Sequence, residues 1–148
     1  MERRDLLRAL GAAAAVTILP RTAEAAWAAV VAAPHAPLRT LSAEQAALVG
    51  AIADTIIPRT DTPSASDVGI AAFVDIIVTE QLTDDERATF LAGLSSIDSS
   101  ARQAGQGSPG FVGATTAVRE SFVREFEARG DRRSDPGRAY WRLKSLVI

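Results

Sequence analysis

Apolar residues recur at helical spacing in five stretches of the chain after residue 41. In the clearest stretch, from Val68 onward, they follow the i, i+3, i+4, i+7, i+8 order that places side chains on one face of an α-helix. Strict alternation of apolar and polar residues, which predicts a half-buried strand, is missing. We therefore predict an all-α fold, a small orthogonal or bundle-like domain of about five helices. The five apolar stripes are Leu48, Val49, Ile52 and Ile56; Ile70, Phe73, Val74, Ile77 and Val78; Phe90, Leu94, Ile97 and Ala101; Val118, Phe122 and Phe126; and Ala139, Leu143, Leu146 and Val147.

Local signals mark where these helices begin and end. Ser42 with Gln45, and Thr83 with Glu86, have the spacing of a capping box, in which two side chains satisfy the free amides of a first turn. Proline and glycine end helices because proline cannot continue the hydrogen-bond ladder and glycine readily adopts the left-handed conformation. Further boundaries are marked by Pro58, by Gly130 and by the pair Asp135-Pro136, in which we expect Asp135 as the cap and Pro136 at the first helical position.

The first 25 residues have the three zones of an export signal. A positive stretch precedes an apolar run over residues 9–19, which is far shorter than the roughly 20 residues that span a bilayer. The order Arg-Arg-x-Leu-Leu, formed by Arg3, Arg4, Leu6 and Leu7, is similar to the twin-arginine signal. We predict a removable twin-arginine signal over residues 1–25 and a periplasmic or otherwise exported protein.

Two positions could serve as the end of this signal. Ala23-Glu24-Ala25 and Ala26-Trp27-Ala28 both have the A-x-A order that precedes a cleaved bond. Residues 26–40 are rich in alanine and end in two prolines, a composition more typical of a flexible linker than of a packed element, although part of it could be helical. The helical domain is predicted over residues 41–148.

Composition excludes several kinds of chemistry. The sequence contains no cysteine, which excludes a c-type haem attachment, an iron–sulfur cluster and a cysteine-based zinc site. The single histidine, His35, lies between prolines in the predicted linker, where no catalytic triad or histidine metal site can form around it. The net charge of −2 gives no indication of nucleic-acid binding.

Two motifs suggest a ligand site or catalysis, but loop and turn structure explains them better. The run from Gly105 to Gly110 matches G-x-G-x-x-G, yet a dinucleotide site needs a strand before that loop and the pattern predicts a helix there. Asp61, Asp67 and Asp75 lie close in sequence, but their spacing does not match a calcium loop. Turn chemistry explains most of them, and a small periplasmic enzyme using these acids stays an alternative.

Charge is shared unevenly along the chain. Residues 54–98 carry nine acidic residues against two arginines, whereas residues 119–144 carry eight basic against five acidic residues. Such asymmetry is typical of two solvated faces or of helices that attract one another, and it could also mark a docking surface. Tyr140 and Trp141 on the last predicted helix are candidates for that surface or for the closure of a small core.

Several segments resemble the gluconate 2-dehydrogenase subunit 3 family. The most specific is the run from Ala53 to Ala65, ADTIIPRTDTPSA, and it is flanked by LSAEQ and VGIAAFVD; the later LTDDER and FLAGL are also similar. The resemblance extends from about residue 41 to the C-terminus. Chains of that family usually continue past the Leu-Lys-Ser-Leu region into an aromatic segment, whereas this sequence ends at Ile148.

The resemblance implies a non-catalytic small subunit that binds, stabilises and co-exports a large flavin-dependent dehydrogenase of the glucose-methanol-choline type. It implies no cofactor in this chain, FAD in the partner and, in some complexes, haem c in a third, cytochrome subunit. The twin-arginine translocase would carry the folded complex out. An exported binding module for another partner stays open, and the substrate cannot be read from this chain. Within the specific segment we expect partner contact from a proline-bracketed loop, at Ile57, Pro58, Asp61, Thr62 and Pro63.

Overall fold

The computed structural model describes residues 22–104 and 109–148. Within these ranges the chain forms six α-helices and no strand, which confirms the all-α prediction. The predicted signal residues Arg3, Arg4, Leu6 and Leu7 lie outside the described residues. The helices are α1 (Ala23–Ala32), α2 (Ala43–Ile56), α3 (Ile70–Glu80), α4 (Asp84–Gln103), α5 (Thr116–Arg129) and α6 (Asp135–Val147).

The predicted start signals of the helices act as expected, with one shift. Both capping boxes form: Ser42 with Gln45 begins α2, and Thr83 with Glu86 begins α4. The last helix is capped by Ser134, whose hydroxyl accepts a hydrogen bond from the Gly137 amide, so the expectation that Asp135 is the cap was wrong by one residue. Serine caps as well as aspartate does, which is why the sequence alone did not separate them.

The core is built where helix α2 meets the other helices. α2 packs against α3, α4, α5 and α6, while α4 and α6 lie against each other along much of their length. Gly93 allows that close approach, because a Cβ at this position would lie 2.3 Å from the carbonyl oxygen of Asp135. The largest completely buried side chains are Phe73, Phe111, Ile52, Leu94, Ile97, Leu143, Val49, Val74 and Val78.

The first half of residues 26–40, predicted as a linker that could be partly helical, is a helix that packs on the core. Residues 23–32 form α1, in which Ala26 and Val30 are buried and the Trp27 ring stacks on Phe73 of α3, with centroids 4.4 Å apart. Alanine is the best helix former, and the segment is apolar all round, so its sequence carries no amphipathic signal. The packed domain therefore begins before residue 41.

The stretch between α1 and α2 is also tied down. The buried Asp75 carboxylate on α3 accepts hydrogen bonds from the backbone amides of Arg39, Thr40 and Leu41 at 2.8–2.9 Å. The Arg39 guanidinium forms an ion pair with Glu80 at the end of the same helix. These contacts hold the chain along α3 until α2 begins.

Candidate partner-binding loop

The five residues expected to contact a partner lie together on the exposed connection between α2 and α3. This loop comprises residues 57–69. Helix α2 ends at Ile56, and Ile57 is its C-cap and the first residue of the loop. Ile57 keeps 38% of its surface exposed although it is apolar. The other four side chains are exposed as well: Pro58, Asp61, Thr62 and Pro63.

Asp67 holds the two sides of the loop together. Its Oδ2 atom accepts hydrogen bonds from the Ser64 amide at 2.8 Å and from the Ser64 hydroxyl at 2.9 Å. The same oxygen accepts from the Arg59 guanidinium, at 3.1 Å from Nε and 2.5 Å from Nη2. The loop is therefore closed across eight residues by one carboxylate.

A second carboxylate ties the loop to the body of the protein. Asp54, in the last turn of α2, accepts from the Ser66 amide at 2.7 Å and from the Ser66 hydroxyl at 2.5 Å. Ser64 and Ala65, which lie next to these carboxylate contacts, are buried. The exposed stretch 57–63 thus rests on a base that does not depend on a partner for its shape.

The electrostatics of the loop favour a permanently charged pair. Hydrogen bonds from the Arg59 guanidinium, and then from the Ser64 amide and hydroxyl, lower the pKa of Asp67 from 3.8 to about 2. Asp67 in turn raises the pKa of Arg59 above its ordinary value, through the hydrogen bond and the opposite charge. Arg59 and Asp67 consequently stay ionised throughout the physiological range.

The loop ends at Gly69, which adopts a left-handed conformation with φ of +86° immediately before α3. A Cβ added at Gly69 would lie 3.1 Å from Cγ1 of Val30 in α1. Both the backbone conformation and the space above it therefore favour glycine. Val30 of the N-terminal helix α1 therefore lies close to this end of the loop.

The contacts by which Arg59 and Asp54 hold this loop were not predicted from sequence, and Asp67 was considered as a turn residue or as a possible acid catalyst. The Ser64-x-x-Asp67 spacing was a usable signal, since serine and aspartate three residues apart commonly close a turn. No local signal pairs Asp54 with Ser66, because these residues are twelve positions apart and belong to different elements.

The acidic residues considered for catalysis do not form a joint site. Asp67 is engaged with Arg59 and Ser64, whereas Asp75 is buried on α3 and receives three backbone amides. Asp61 is exposed on the loop. Over residues 22–104 and 109–148, no group of three or more histidine, cysteine or acidic side chains is placed to hold a metal ion. The Asp67 and Asp75 carboxylates have structural partners, and the arrangement gives no support for general acid–base chemistry.

The two aromatic candidates on α6 differ in their surroundings. Tyr140 is only 2% exposed and its hydroxyl donates a hydrogen bond to the Glu127 carboxylate, so this ring closes the core. Trp141 is half-buried: its Nε1 donates to the Asp131 carbonyl oxygen at 3.1 Å, and the Arg132 guanidinium lies 4.0 Å from its ring centroid. Of the pair, Trp141 alone has surface to offer, and its contact with a partner stays a prediction.

The G-x-G-x-x-G motif has no strand before it. The residues that lead to it belong to α4, which ends at Gln103, and 105–108 lie outside the described residues. A dinucleotide site needs a strand–loop–helix unit, and the described part of the chain does not supply one. Among the described helices none has both the length and the apolar character needed to cross a membrane.

The chain matches a known protein family over most of its length. Residues 43–148 match the family described as gluconate 2-dehydrogenase subunit 3, and the match contains α2 to α6 with the whole 57–69 loop. No curated protein and no solved structure matches the chain. The resemblance drawn from the loop segment is thereby confirmed, and the chain belongs to the gluconate 2-dehydrogenase subunit 3 family as an accessory subunit of a dehydrogenase complex.

Proposed function

We propose that this chain is the non-catalytic small subunit that binds, stabilises and co-exports a large flavin-dependent dehydrogenase of the glucose-methanol-choline type. The substrates of such a complex would be sugars, sugar acids or other alcohols. The observation that carries the proposal is the family match over residues 43–148, which makes a dehydrogenase the partner. The cofactors would belong to other chains, with FAD in the large subunit and, where a cytochrome takes part, haem c in a third subunit.

The loop geometry supports a docking role for residues 57–63. A loop whose base is held by Asp54 and Asp67 loses little conformational entropy when a partner covers it. Its exposed side combines apolar surface from Ile57 and two prolines with polar groups from Asp61 and Thr62. That mixture is typical of an interface with an apolar centre and a polar rim.

Export would follow from the sequence at the N-terminus. Arg3 and Arg4 with Leu6 and Leu7 would address the chain to the twin-arginine translocase, which accepts folded proteins. A flavoprotein must bind its cofactor before it leaves the cytoplasm, so a partner without a signal of its own would cross with this subunit. The complex would then act in the periplasm or at the outer face of the membrane.

Co-expression of this chain with a flavoprotein dehydrogenase from the same genome tests the proposal. A tag on this chain alone should recover the untagged large subunit from the periplasm, with the flavin spectrum in the same fraction. Replacing Arg3 and Arg4 by lysine should leave both subunits in the cytoplasm while they still bind each other. Recovery of this chain alone in every preparation would contradict the proposal.

The same experiment separates the alternatives. A pull-down that returns a different exported protein and no flavoprotein would favour a free-standing binding module. Turnover of a sugar by the isolated chain, lost on combined replacement of Asp61, Asp67 and Asp75, would favour a small periplasmic enzyme. We expect no turnover, because Asp67 and Asp75 are already occupied by structural hydrogen bonds. We expect a dehydrogenase in the pull-down because of the family match.

A further inference from the structure

Helix α1 is part of the packed domain although it lies outside the matched region 43–148. Ala26 is completely buried, and Val30 lies against the backbone of Gly69. The ring of Trp27 is stacked on Phe73, with an angle of 10° between the planes. Phe73 is itself a core residue of α3, so loss of these residues of α1 would expose the centre of that helix.

Of the two possible cleavage sites of the signal, one lies before this contact and the other lies inside it. Ala23-Glu24-Ala25 occupies the first turn of α1, where residues 23 and 24 are exposed. This turn is held by an exposed hydrogen bond from the Ala25 amide to the Thr22 hydroxyl and by the bond from the Ala26 amide to the Thr22 carbonyl. Ends of helices open easily, so this segment can become extended while the rest of α1 stays packed.

The second candidate, Ala26-Trp27-Ala28, lies inside the contact. Ala26 and Trp27 provide the buried residue and the stacked ring that attach α1 to α3. A peptidase that binds this segment in an extended form must first remove both from the core. Proteolysis concentrates at exposed termini because less structure has to be opened there.

We infer that the signal is removed at the Ala25–Ala26 bond, not after Ala28, and that α1 from Ala26 onward remains on the mature subunit as the cover of α3. In this hydrolysis by a signal peptidase, water adds its hydroxyl to the Ala25 carbonyl carbon and its proton to the Ala26 nitrogen as the peptide bond breaks. The inference rests on the export step of the proposed function. A folded cargo presents α1 already packed, whereas an unfolded chain would offer both sites equally.

The mass of the exported chain tests this inference directly. The full chain is expressed with its partner, collected from the periplasm, and its N-terminus is read by intact mass and peptide sequencing. A chain that begins at Ala26 is expected. A chain that begins at Ala29, a mixture of the two, or an unprocessed chain in the periplasm would overturn it.

Two matched variants separate the sites. Ala25→Leu places a large residue before the first bond and should abolish processing, so that the precursor accumulates. Ala28→Leu places the same residue at an exposed position before the second bond and should be processed as the wild type is. Efficient cleavage of Ala25→Leu after Ala28 would contradict the inference, provided that its melting temperature equals that of Ala28→Leu.

A variant in which α1 packs less tightly on α3 provides a positive control for cleavage at the second site. Trp27→Ala combined with Ala25→Leu removes the stack on Phe73 and should restore cleavage, now after Ala28. Persistent precursor in this double variant would overturn the explanation by packing. The readout does not depend on co-purification of a flavoprotein, so the inference can fail while the subunit still binds its partner, and it can hold if the partner proves to be another protein.

Discussion

The carboxylate of Asp75 accepts a hydrogen bond from the Leu41 amide at 2.8 Å, which joins helix α3 to the residue before the capping box of α2. The same carboxylate receives the amides of Arg39 and Thr40, and Asp75 is only 3% exposed. A buried carboxylate surrounded by amide donors acts as the anchor of a chain segment. Asp75 therefore fastens the N-terminal part of the protein to its core.

Replacement of Asp75 should destabilise the protein strongly. Asp75→Ala leaves three buried or half-buried amides without their acceptor, and we expect a loss of about 3 kcal/mol or more in the free energy of unfolding. Asp75→Asn keeps the shape but turns an amide donor toward one of the amides, with a loss of about 2 kcal/mol. Denaturant unfolding measures both. A change below about 0.5 kcal/mol for Asp75→Ala would contradict the assigned role.

Two glycines with positive φ form a matched pair for a test of the α1 contact. Gly69 (φ +86°) faces Val30, whereas nothing lies within 4 Å of a Cβ at Gly130 (φ +61°). Gly130→Ala should cost about 1 kcal/mol from backbone conformation alone. Gly69→Ala should cost more, because Val30 must also move. In a Val30→Ala background, the cost of Gly69→Ala should fall to that of Gly130→Ala. Equal costs of the two glycine replacements in the wild-type background would argue against close packing of α1.

The Arg59–Asp67 pair predicts how the loop responds to acid. The pKa of Asp67 is lowered from 3.8 to about 2, so the folded state binds this proton less readily than the unfolded chain. The stabilisation is complete above about pH 4 and is lost as the pH falls toward 2. The difference in melting temperature between the wild type and Asp67→Asn should be constant above pH 4 and shrink below it.

Asp61→Asn provides the control for that measurement, since it makes the same change of charge in the same loop at an exposed residue. The difference in melting temperature between Asp61→Asn and the wild type should not show the pH dependence expected for Asp67→Asn. If the two variants showed the same dependence on pH, the effect would come from the net charge and not from the Arg59–Asp67 contact.

Partner binding should depend on Ile57. Ile57→Asp places a charge in the apolar part of the loop and should weaken recovery of the dehydrogenase about tenfold or more, roughly 1.4 kcal/mol. Val118→Asp is the matched control, because Val118 on α5 is apolar and 52% exposed but lies outside the loop. Both variants should unfold within about 0.5 kcal/mol of the wild type. A stronger defect for Val118→Asp would place the interface on α5.

The only tyrosine of the chain offers a spectroscopic test of its burial. Burial, followed by the hydrogen bond to the Glu127 carboxylate, raises the pKa of Tyr140 above its ordinary value of 10. Phenolate absorbance should therefore be absent at pH 10 in the folded protein and appear only when the chain unfolds. Since the unfolded tyrosine loses its proton first, stability should fall as the pH rises beyond 10.

Glu127→Gln should lower the pKa of Tyr140 without bringing it back to 10, because burial, its larger cause, remains. A phenolate signal with a midpoint at 10 in the wild-type protein would show that Tyr140 is exposed. That outcome would return Tyr140 to the list of residues available to a partner.

The helices of the domain could be predicted from sequence, whereas the contacts of the loop could be predicted only in part. The capping boxes at Ser42 and Thr83 predicted α2 and α4 with their starts, and the stripe from Ile70 to Val78 predicted α3. The loop was predicted with its exposed residues, and its base at Asp54 was missed. Val118 belonged to a predicted apolar stripe but is half exposed, since α5 buries none of its residues completely.

The sequence by itself determined the all-α class, five of the six described helices and the family, because periodicity, capping and the loop segment all act over a few neighbouring residues. Only the tertiary structure decided that α1 packs on α3, that Asp75 anchors residues 39–41 and that Tyr140 is buried. In the first two cases the partners are more than thirty positions apart along the chain. A buried aspartate and a stacked tryptophan look locally like a solvated acid and a linker residue, and their role appears only when folding brings the distant partner to them.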